Sequence, residues 1–483
     1  MKQAVQDIYP LSPTQRGLLF HSLYGDSQAG AYIVQVSYTL QGELDRAGFE
    51  QAWQQLIQRH TILRTAFVWD NLASPVQVVG HQVTLPIHWQ NWQNLSAEKQ
   101  QEDLSALLAN DRAKGFDLSN APLMRINAVQ LAPNCYRILW THHHILLDGW
   151  SLPLLMKEWI ALYQSNCDLA GNSEISLSAA PPYRDYIAWL QQQDITLAKQ
   201  FWKERLAGFT TPTPLGIDKA RKTDKANKEQ ATEASSQTSN NFSPKDFFRS
   251  QAHQLSLELS EQLKSVAVQQ RLTLSSLVQG AWAKVLSVYS GESNVLYGLA
   301  CAGRPHTLPA ADRRVGLFIN TLPMRVKVDS EREIGAWLQQ IQKQQLAQQS
   351  YEYTPLVDIQ AVSEVPGRAP LFESVVVFEN YPLESARGIA GLDLLDVSIT
   401  EQTHYPLTLF AVAKECLEFK VLYDTQRFSE GAIARLFSHL QTTLSSIVSS
   451  PQKNIASINI IPTAEETQRS EYGNGPKVMA SGL

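Results

Sequence analysis

Two adjacent histidines, three apolar residues and an Asp-Gly pair stand in one run, His143-His144-Ile145-Leu146-Leu147-Asp148-Gly149, with Trp150 next. Imidazole titrates close to neutrality, so a histidine held in a cleft can take up a proton, return it, or orient a proton-bearing group. The carboxylate of Asp148 can pin the loop from beneath, and Gly149 permits a turn that leaves a bare N–H near the site. A lone histidine is usually a satisfied core or surface residue; the run as a whole is what points to function. Metal ligation is poorly supported, because successive strand residues face opposite sides and no HExxH or cysteine pair supplies further ligands. Cys135, Cys167, Cys301 and Cys416 have no metal-type spacing and read as ordinary thiols.

The elements on either side of the run must position it. Ile126–Val129 and Tyr136–Thr141 read as strands joined by Ala132-Pro133-Asn134, the second running straight into His142, His143 and His144. Ser151 caps a helix to about Tyr163. Upstream, Ser12-Pro13-Thr14-Gln15 supplies an N-cap, a proline at the first helical position and the glutamine of a capping box. Tyr32–Leu40 reads as a strand, and Asp45 caps a helix with Phe49, Trp53, Leu56 and Ile57 on one face. Short strands are expected near Ala66–Trp69 and Val76–Val79, and a polar helix over Ala97–Ala113. Residues 165–182 read as a linker, Tyr183–Leu206 as one helix, and 216–246, with almost nothing apolar, as a mobile surface loop. Beyond it the sequence predicts a strand at His253–Leu259, helices at 260–270 and 274–290, and strands near 294–299 and 318–327. A long helix at 331–349, strands near 372–379, 406–414 and 416–423, and a last helix at 428–449 complete the pattern. Strands and helices alternate in both halves, which predicts two α/β lobes with mixed sheets.

With 483 residues, 44% of them hydrophobic and 18% charged, the chain has enough apolar material for real cores and too little charge for a disordered polymer. A net charge of −5 without a basic excess argues against a nucleic-acid partner. No apolar run reaches the length of about 18 residues that a membrane span needs, and the N-terminus lacks the apolar core of a signal peptide. These features predict a cytoplasmic location with reduced cysteines.

The histidine run resembles the HHxxxDG motif of nonribosomal peptide synthetase condensation domains, and other runs follow that family's order. Leu11-Ser12-Pro13-Thr14-Gln15-Arg16-Gly17-Leu18-Leu19 looks like its opening motif, and Arg59-His60-Thr61-Ile62-Leu63-Arg64-Thr65-Ala66-Phe67 is similar to RHxxLRTxF. Tyr183-Arg184-Asp185-Tyr186-Ile187-Ala188-Trp189 resembles YxDFAVW, and Val315-Gly316-Leu317-Phe318-Ile319-Asn320-Thr321-Leu322-Pro323-Met324-Arg325 resembles VGxFVNTxxxR. Arg368-Ala369-Pro370-Leu371-Phe372-Glu373 sits where the family has a RNPLFD-like run. Two departures are local: Ala302 stands before Gly303-Arg304-Pro305 where serine is usual, and His404 precedes Tyr405-Pro406-Leu407 where asparagine is expected.

The resemblance implies a chloramphenicol acetyltransferase-like fold, two lobes in a V-shaped pseudodimer around a central tunnel. The lobes are expected at 1–175 and 176–460, with 461–483 beginning a linker toward an adenylation domain. It implies amide-bond formation between a donor acyl or peptidyl thioester and an acceptor aminoacyl thioester, delivered by upstream and downstream peptidyl carrier proteins. The 4'-phosphopantetheine arms belong to those carriers, and no cofactor is expected on this chain. His144 is the expected catalytic residue, as a base or by orienting the amine, with the Gly149 N–H helping the developing oxyanion. His143 is expected to pack and shape the loop, His142 to be structural, and Asp148 to form an ion pair with Arg304 or, failing that, Arg64. Gly17-Leu18-Leu19-Phe20-His21, Trp150-Ser151-Leu152-Pro153, Tyr351-Glu352-Tyr353-Thr354-Pro355-Leu356 and Phe378-Glu379-Asn380-Tyr381-Pro382 resemble domains that take a D-configured donor and an L-configured acceptor.

Other readings of the same fold compete. An epimerization domain needs a second acid/base glutamate in its own motif, and no such run stands out. A heterocyclization domain would carry Asp in place of the two histidines. A catalytically silent recruitment module is disfavoured by the intact His144, Asp148 and Gly149, and a free-standing acyltransferase by the linker-like tail.

Overall fold

The computed structural model describes residues 5–24, 32–167, 177–218, 248–367, 369–379, 386–463 and 465. Among these residues the strands form three sheets. The sheet carrying the histidines runs Ala386–Ile389, Leu392–Thr400, Ile33–Gly42, Cys135–His143, Met124–Ala132 and Ile87–Asn91 from edge to edge. A second sheet runs Asn320–Lys327, Asn294–Cys301, Ser374–Glu379, Leu407–Ala413, Leu417–Asp424 and Phe248–Gln254. Val5–Pro10, Val76–Gly80 and Thr65–Val68 make a small third sheet.

The helices that cover the histidine sheet are specified locally. Ser12 and Gln15 exchange capping-box hydrogen bonds, Ser12 N donating to Gln15 Oε1 at 2.9 Å and Gln15 N to Ser12 Oγ at 3.2 Å. The side chain of Asp45 accepts from Ala47 N and starts the helix Arg46–Arg59, which buries Phe49, Ala52, Trp53, Leu56 and Ile57. That helix packs on the helix Ser151–Cys167, with Phe49 and Trp53 against Trp159 and Trp53 against Trp140 of the histidine strand. These rings seal one sheet face, so the residues that share that face with Trp140, every second one along the strand, lie beneath the helices until the strand ends.

The two halves interlock. Tyr183, Tyr186, Ile187, Leu308, Val315, Phe318, Leu392 and Leu394 all join the apolar core built around the histidine sheet. Leu392–Thr400 pairs antiparallel with Ile33–Gly42, so a strand from far along the chain completes the first sheet. A second core fills the space around the second sheet and the helices Leu257–Gln269, Leu274–Ser290, Ile334–Gln349 and Glu430–Ser449.

Several expectations need correction. Tyr183–Leu206 is two helices, Arg184–Gln191 and Ile195–Leu206, because Asp194 caps the second by accepting from Thr196 N and Leu197 N. The strand expected at His253–Leu259 is Phe248–Gln254; Ser256 instead caps the helix that begins at Leu257. Strands Val5–Pro10, Ile87–Asn91, Ala386–Ile389 and Leu392–Thr400 and the helix Leu356–Val362 were not expected. Of the segment 216–246 only 216–218 lie within the described residues, as do only 461–463 and 465 of the tail, so the mobile loop and the linker fall outside them. No described helix is long and apolar enough to cross a membrane.

Candidate active site

The histidine strand ends where its partners end. His143 pairs with Ile33 and His142 with both Val34 and Met124. One residue further, the backbone N–H of His144 donates to Tyr32 O at 2.8 Å. Alternation then separates the three imidazoles. His142 stays under the helices against Trp140, ring centroids 5.2 Å apart, and burial drives its pKa far below the ordinary histidine value. His143 points to the other side, where Nε2 lies 3.3 Å from Ser22 Oγ and Nδ1 accepts from Ile145 N at 3.1 Å. Burial, with His144 as a smaller cause, pushes His143 down to about 3, so it is neutral throughout the range where enzymes work.

His144 shares a face with His142 but lies past the end of the strand, and its ring borders a cavity of about 720 Å³. Gly149 and Trp150 border it too, as do Gly303, Arg304, Glu352 and Tyr405 from the second half of the chain. His144 Nε2 is 3.8 Å from Glu401 Oε2, and Nδ1 is buried without a hydrogen-bond partner among the described residues. Ile145, Leu146 and Leu147 are wholly buried, which anchors the loop between the histidine and the aspartate.

Asp148 faces away from the solvent with a fully buried side chain. Its Oδ1 accepts from Arg304 Nη2 at 2.9 Å, Ser151 N at 2.9 Å and Ser151 Oγ at 2.8 Å, and its Oδ2 from Phe318 N at 3.0 Å. Arg304 also donates through Nη1 to the carbonyls of Ala311 and Arg314, both at 2.6 Å, and its guanidinium lies over the Phe318 ring. A buried carboxylate with this many donors is a structural joint, holding the motif loop to the segment 315–318 and to the Arg304 loop. Arg64, the other candidate partner, is not near Asp148: it donates to Ile57 O, Gln58 O, Gly80 O, His81 O and Gln6 Oε1. Its guanidinium ties the turn after Arg46–Arg59 to the small sheet.

Two glycines make this joint possible. Gly303 has φ +62°, and a Cβ there would lie 1.9 Å from Phe318 O; at Gly316, φ +157°, it would lie 2.2 Å from the Tyr183 ring. Both sit in runs the sequence singled out, and both bring backbone against backbone or ring where Asp148, Ser151 and Arg304 converge. Glu352 accepts from Gly303 N at 3.0 Å, and burial raises its pKa. His404, the departure from asparagine, bonds Tyr32 OH through Nδ1 at 2.8 Å and stacks on His21, centroids 4.5 Å apart. Burial, with His21 second, pushes it down to about 4.

Sequence reasoning missed Glu401 altogether. It follows a strand that pairs with residues 350 or more positions earlier, and no local pattern marks it. Tyr32 and Ser151 carry only the local signals of a strand start and a cap; their contacts with His144 and Asp148 are what place them in the site.

Comparison with known proteins agrees with this geometry. The family model for the condensation domain matches residues 5–468. One of the proteins that make up the linear gramicidin synthase of Brevibacillus parabrevis is 40% identical over 469 residues, covering 96% of this chain and 9% of that protein. Another protein of the same synthase is 38% identical over 460 residues, 95% of this chain and 6% of its own length, so the chain spans less than a tenth of either. Among solved structures, the starter condensation domain of rhizomide synthetase superposes with a TM-score of 0.73 at 17% identity, covering 95% of this chain and all of that one. The X-domain from teicoplanin biosynthesis gives 0.75 at 21%, covering 95% and 99%. At these identities the superpositions speak to the fold. The chain belongs to the condensation-domain family of nonribosomal peptide synthetases, enzymes of peptide-bond formation, and has their chloramphenicol acetyltransferase-like fold.

Proposed function

We propose that His144 is the catalytic residue of a condensation between two carrier-bound thioesters. The acceptor amine attacks the carbonyl carbon of the donor acyl or peptidyl thioester; the C–N bond forms, the C–S bond breaks, and the amine proton ends on the departing thiolate. The observation that carries this reading is that His144 is the one imidazole of the three whose ring borders the cavity, His142 and His143 being buried on either side.

The reaction asks little beyond placement. An α-amino group with a pKa of about 7.7–8.0 is substantially neutral near pH 8. Holding two tethered reactants in attack geometry contributes up to roughly 7–11 kcal/mol. His144 either takes the amine proton during attack or orients the nitrogen by a hydrogen bond, and Gly149, which borders the same cavity, offers its N–H to the developing oxyanion in this reading. Asp148, Arg304, His143 and Trp150 hold the loop and the cavity wall, while Arg64 serves the fold elsewhere.

In this reading 1–175 and 176–460 are the two lobes of the domain, with the carriers reaching the cavity from opposite faces, and 461–483 leads toward an adenylation domain, in the cytoplasm. The partners are upstream and downstream peptidyl carrier proteins, which bring the 4'-phosphopantetheine arms as part of the substrates. The test loads both carriers with defined aminoacyl groups, the donor in each configuration, and looks for the dipeptidyl thioester on the acceptor carrier by intact-protein mass spectrometry. Product with a D-configured donor supports the full reading, product from the L-donor alone removes the stereochemical part, and no product removes condensation.

The one second reading is epimerization, which would need a second acid/base group near His144; Glu401 Oε2 lies 3.8 Å from its Nε2, on the same side of the cavity. Loss of the α-hydrogen of a carrier-bound residue into deuterated water, without dipeptide formation, would select it.

A further inference from the structure

The charges bordering the cavity are unevenly distributed. Among the described residues that line it, Arg304 is the one lysine or arginine, and both its terminal nitrogens are engaged by Asp148 and by carbonyls. Glu352 is held by the Gly303 N–H. Glu401 is the carboxylate left facing His144, 3.8 Å from Nε2, with about a fifth of its side chain exposed.

Sheet register explains the position. Thr400 pairs with Gln35, and Val34 pairs with His142, so one residue past the strand end Glu401 stands level with Val34 and two strands from the histidines. Parity puts Ile399, Glu401, Val34, His142 and His144 on one face, and those five residues border one small pocket. The gap between Oε2 and Nε2 is too long for a direct hydrogen bond. It suits a shared third atom. A nitrogen about 2.9 Å from both would see them roughly 80° apart, which leaves each hydrogen bond from a tetrahedral ammonium within about 15° of linear.

Resting on the condensation reading, we propose that Glu401 is an acceptor-binding residue. It holds the α-ammonium of the incoming aminoacyl thioester against His144, so that this wall of the cavity recognises a cationic nucleophile and discriminates against a neutral hydroxyl analogue. The ammonium first gives its extra proton to His144 or to solvent, which frees the lone pair, and the bond changes are then those already given; Glu401 adds charge recognition before that proton leaves. The surrounding titratable groups are His142 and His143 on the histidine strand, Glu379 at the end of Ser374–Glu379, Asp148 with Arg304, and Tyr405. His142 and His143 are kept neutral by burial.

The test measures transfer from a loaded donor carrier to an aminoacyl N-acetylcysteamine acceptor between pH 6.5 and 9, for the wild type, Glu401→Gln and Glu401→Asp. Loss of a charge-assisted hydrogen bond should raise the apparent acceptor KM of Glu401→Gln by about 10- to 100-fold at pH 6.5. The effect should shrink toward pH 9, where the amine is neutral, the donor KM should stay unchanged, and Glu401→Asp should recover part of the loss. An α-hydroxyacyl inhibitor should bind the wild type and Glu401→Gln equally. An unchanged acceptor KM, or an increase that is the same at every pH and for both substrates, overturns the role of Glu401 while wild-type transfer keeps the condensation reading. A wild type that makes no product overturns both.

Discussion

Asp148 Oδ1 and Arg304 Nη2 lie 2.9 Å apart, joining residues 156 positions distant in the chain. Through Phe318 N and Ser151 the same carboxylate fastens the motif loop to the second half of the molecule. The aspartate of the run is thus a joint between halves, and the histidine four positions earlier is what that joint holds against the cavity.

Replacing Asp148 with asparagine should therefore lower thermal stability and soluble yield together with transfer. It leaves a buried guanidinium without its counter-charge, at a cost of roughly 3–5 kcal/mol. Thermal melting followed by circular dichroism checks this; a fully stable but inactive variant would move Asp148 into the chemistry.

Gly303→Ala and Gly316→Ala should destabilise the same joint. Each forces a side chain into the left-handed region and against Phe318 O or the Tyr183 ring, worth roughly 1–3 kcal/mol in backbone strain before the clash is counted. Chemical denaturation of the two variants, compared with Gly115→Ala, where a Cβ would meet nothing within 4 Å, separates the clash from the effect of φ alone.

Much of this was legible in advance because it is written locally. The capping box at Ser12 and Gln15, the cap at Asp45 and the apolar face of Arg46–Arg59 need only neighbours in sequence. Arg304 as the partner of Asp148 follows from the family resemblance, which left Arg64 as the other candidate; the structure pairs Asp148 with Arg304. Glu401 was not legible: its position depends on a strand pairing with Ile33–Gly42, a contact that local periodicity does not encode. Phe248–Gln254 was misplaced for a related reason. It is an edge strand with mostly polar, solvent-facing side chains, and the apolar alternation that follows it belongs to the next helix.

Stability should fall as the solution is acidified. His143 and His404 have folded-state pKa values of about 3 and about 4, below their ordinary value near 6.5, so the unfolded chain binds more protons between those limits. The stabilisation is complete above pH 6.5 and is lost progressively as pH drops toward 4 and then 3, at about 1.4 kcal/mol per unit for each group. His404→Asn should flatten the upper part of this slope, which melting temperatures between pH 7 and 4 would reveal.

The central claim is that His144, and not its neighbours, meets the substrates. The most direct measurement is dipeptidyl transfer between loaded carriers for His144→Ala at neutral pH, with thermal melting of the same preparation. The account predicts an unchanged melting temperature and a rate lower by about 10²–10⁴-fold if His144 is the base. That deficit should narrow as pH rises, and it should persist at every pH if His144 positions the amine. Transfer at the wild-type rate by a folded His144→Ala protein would contradict the assignment.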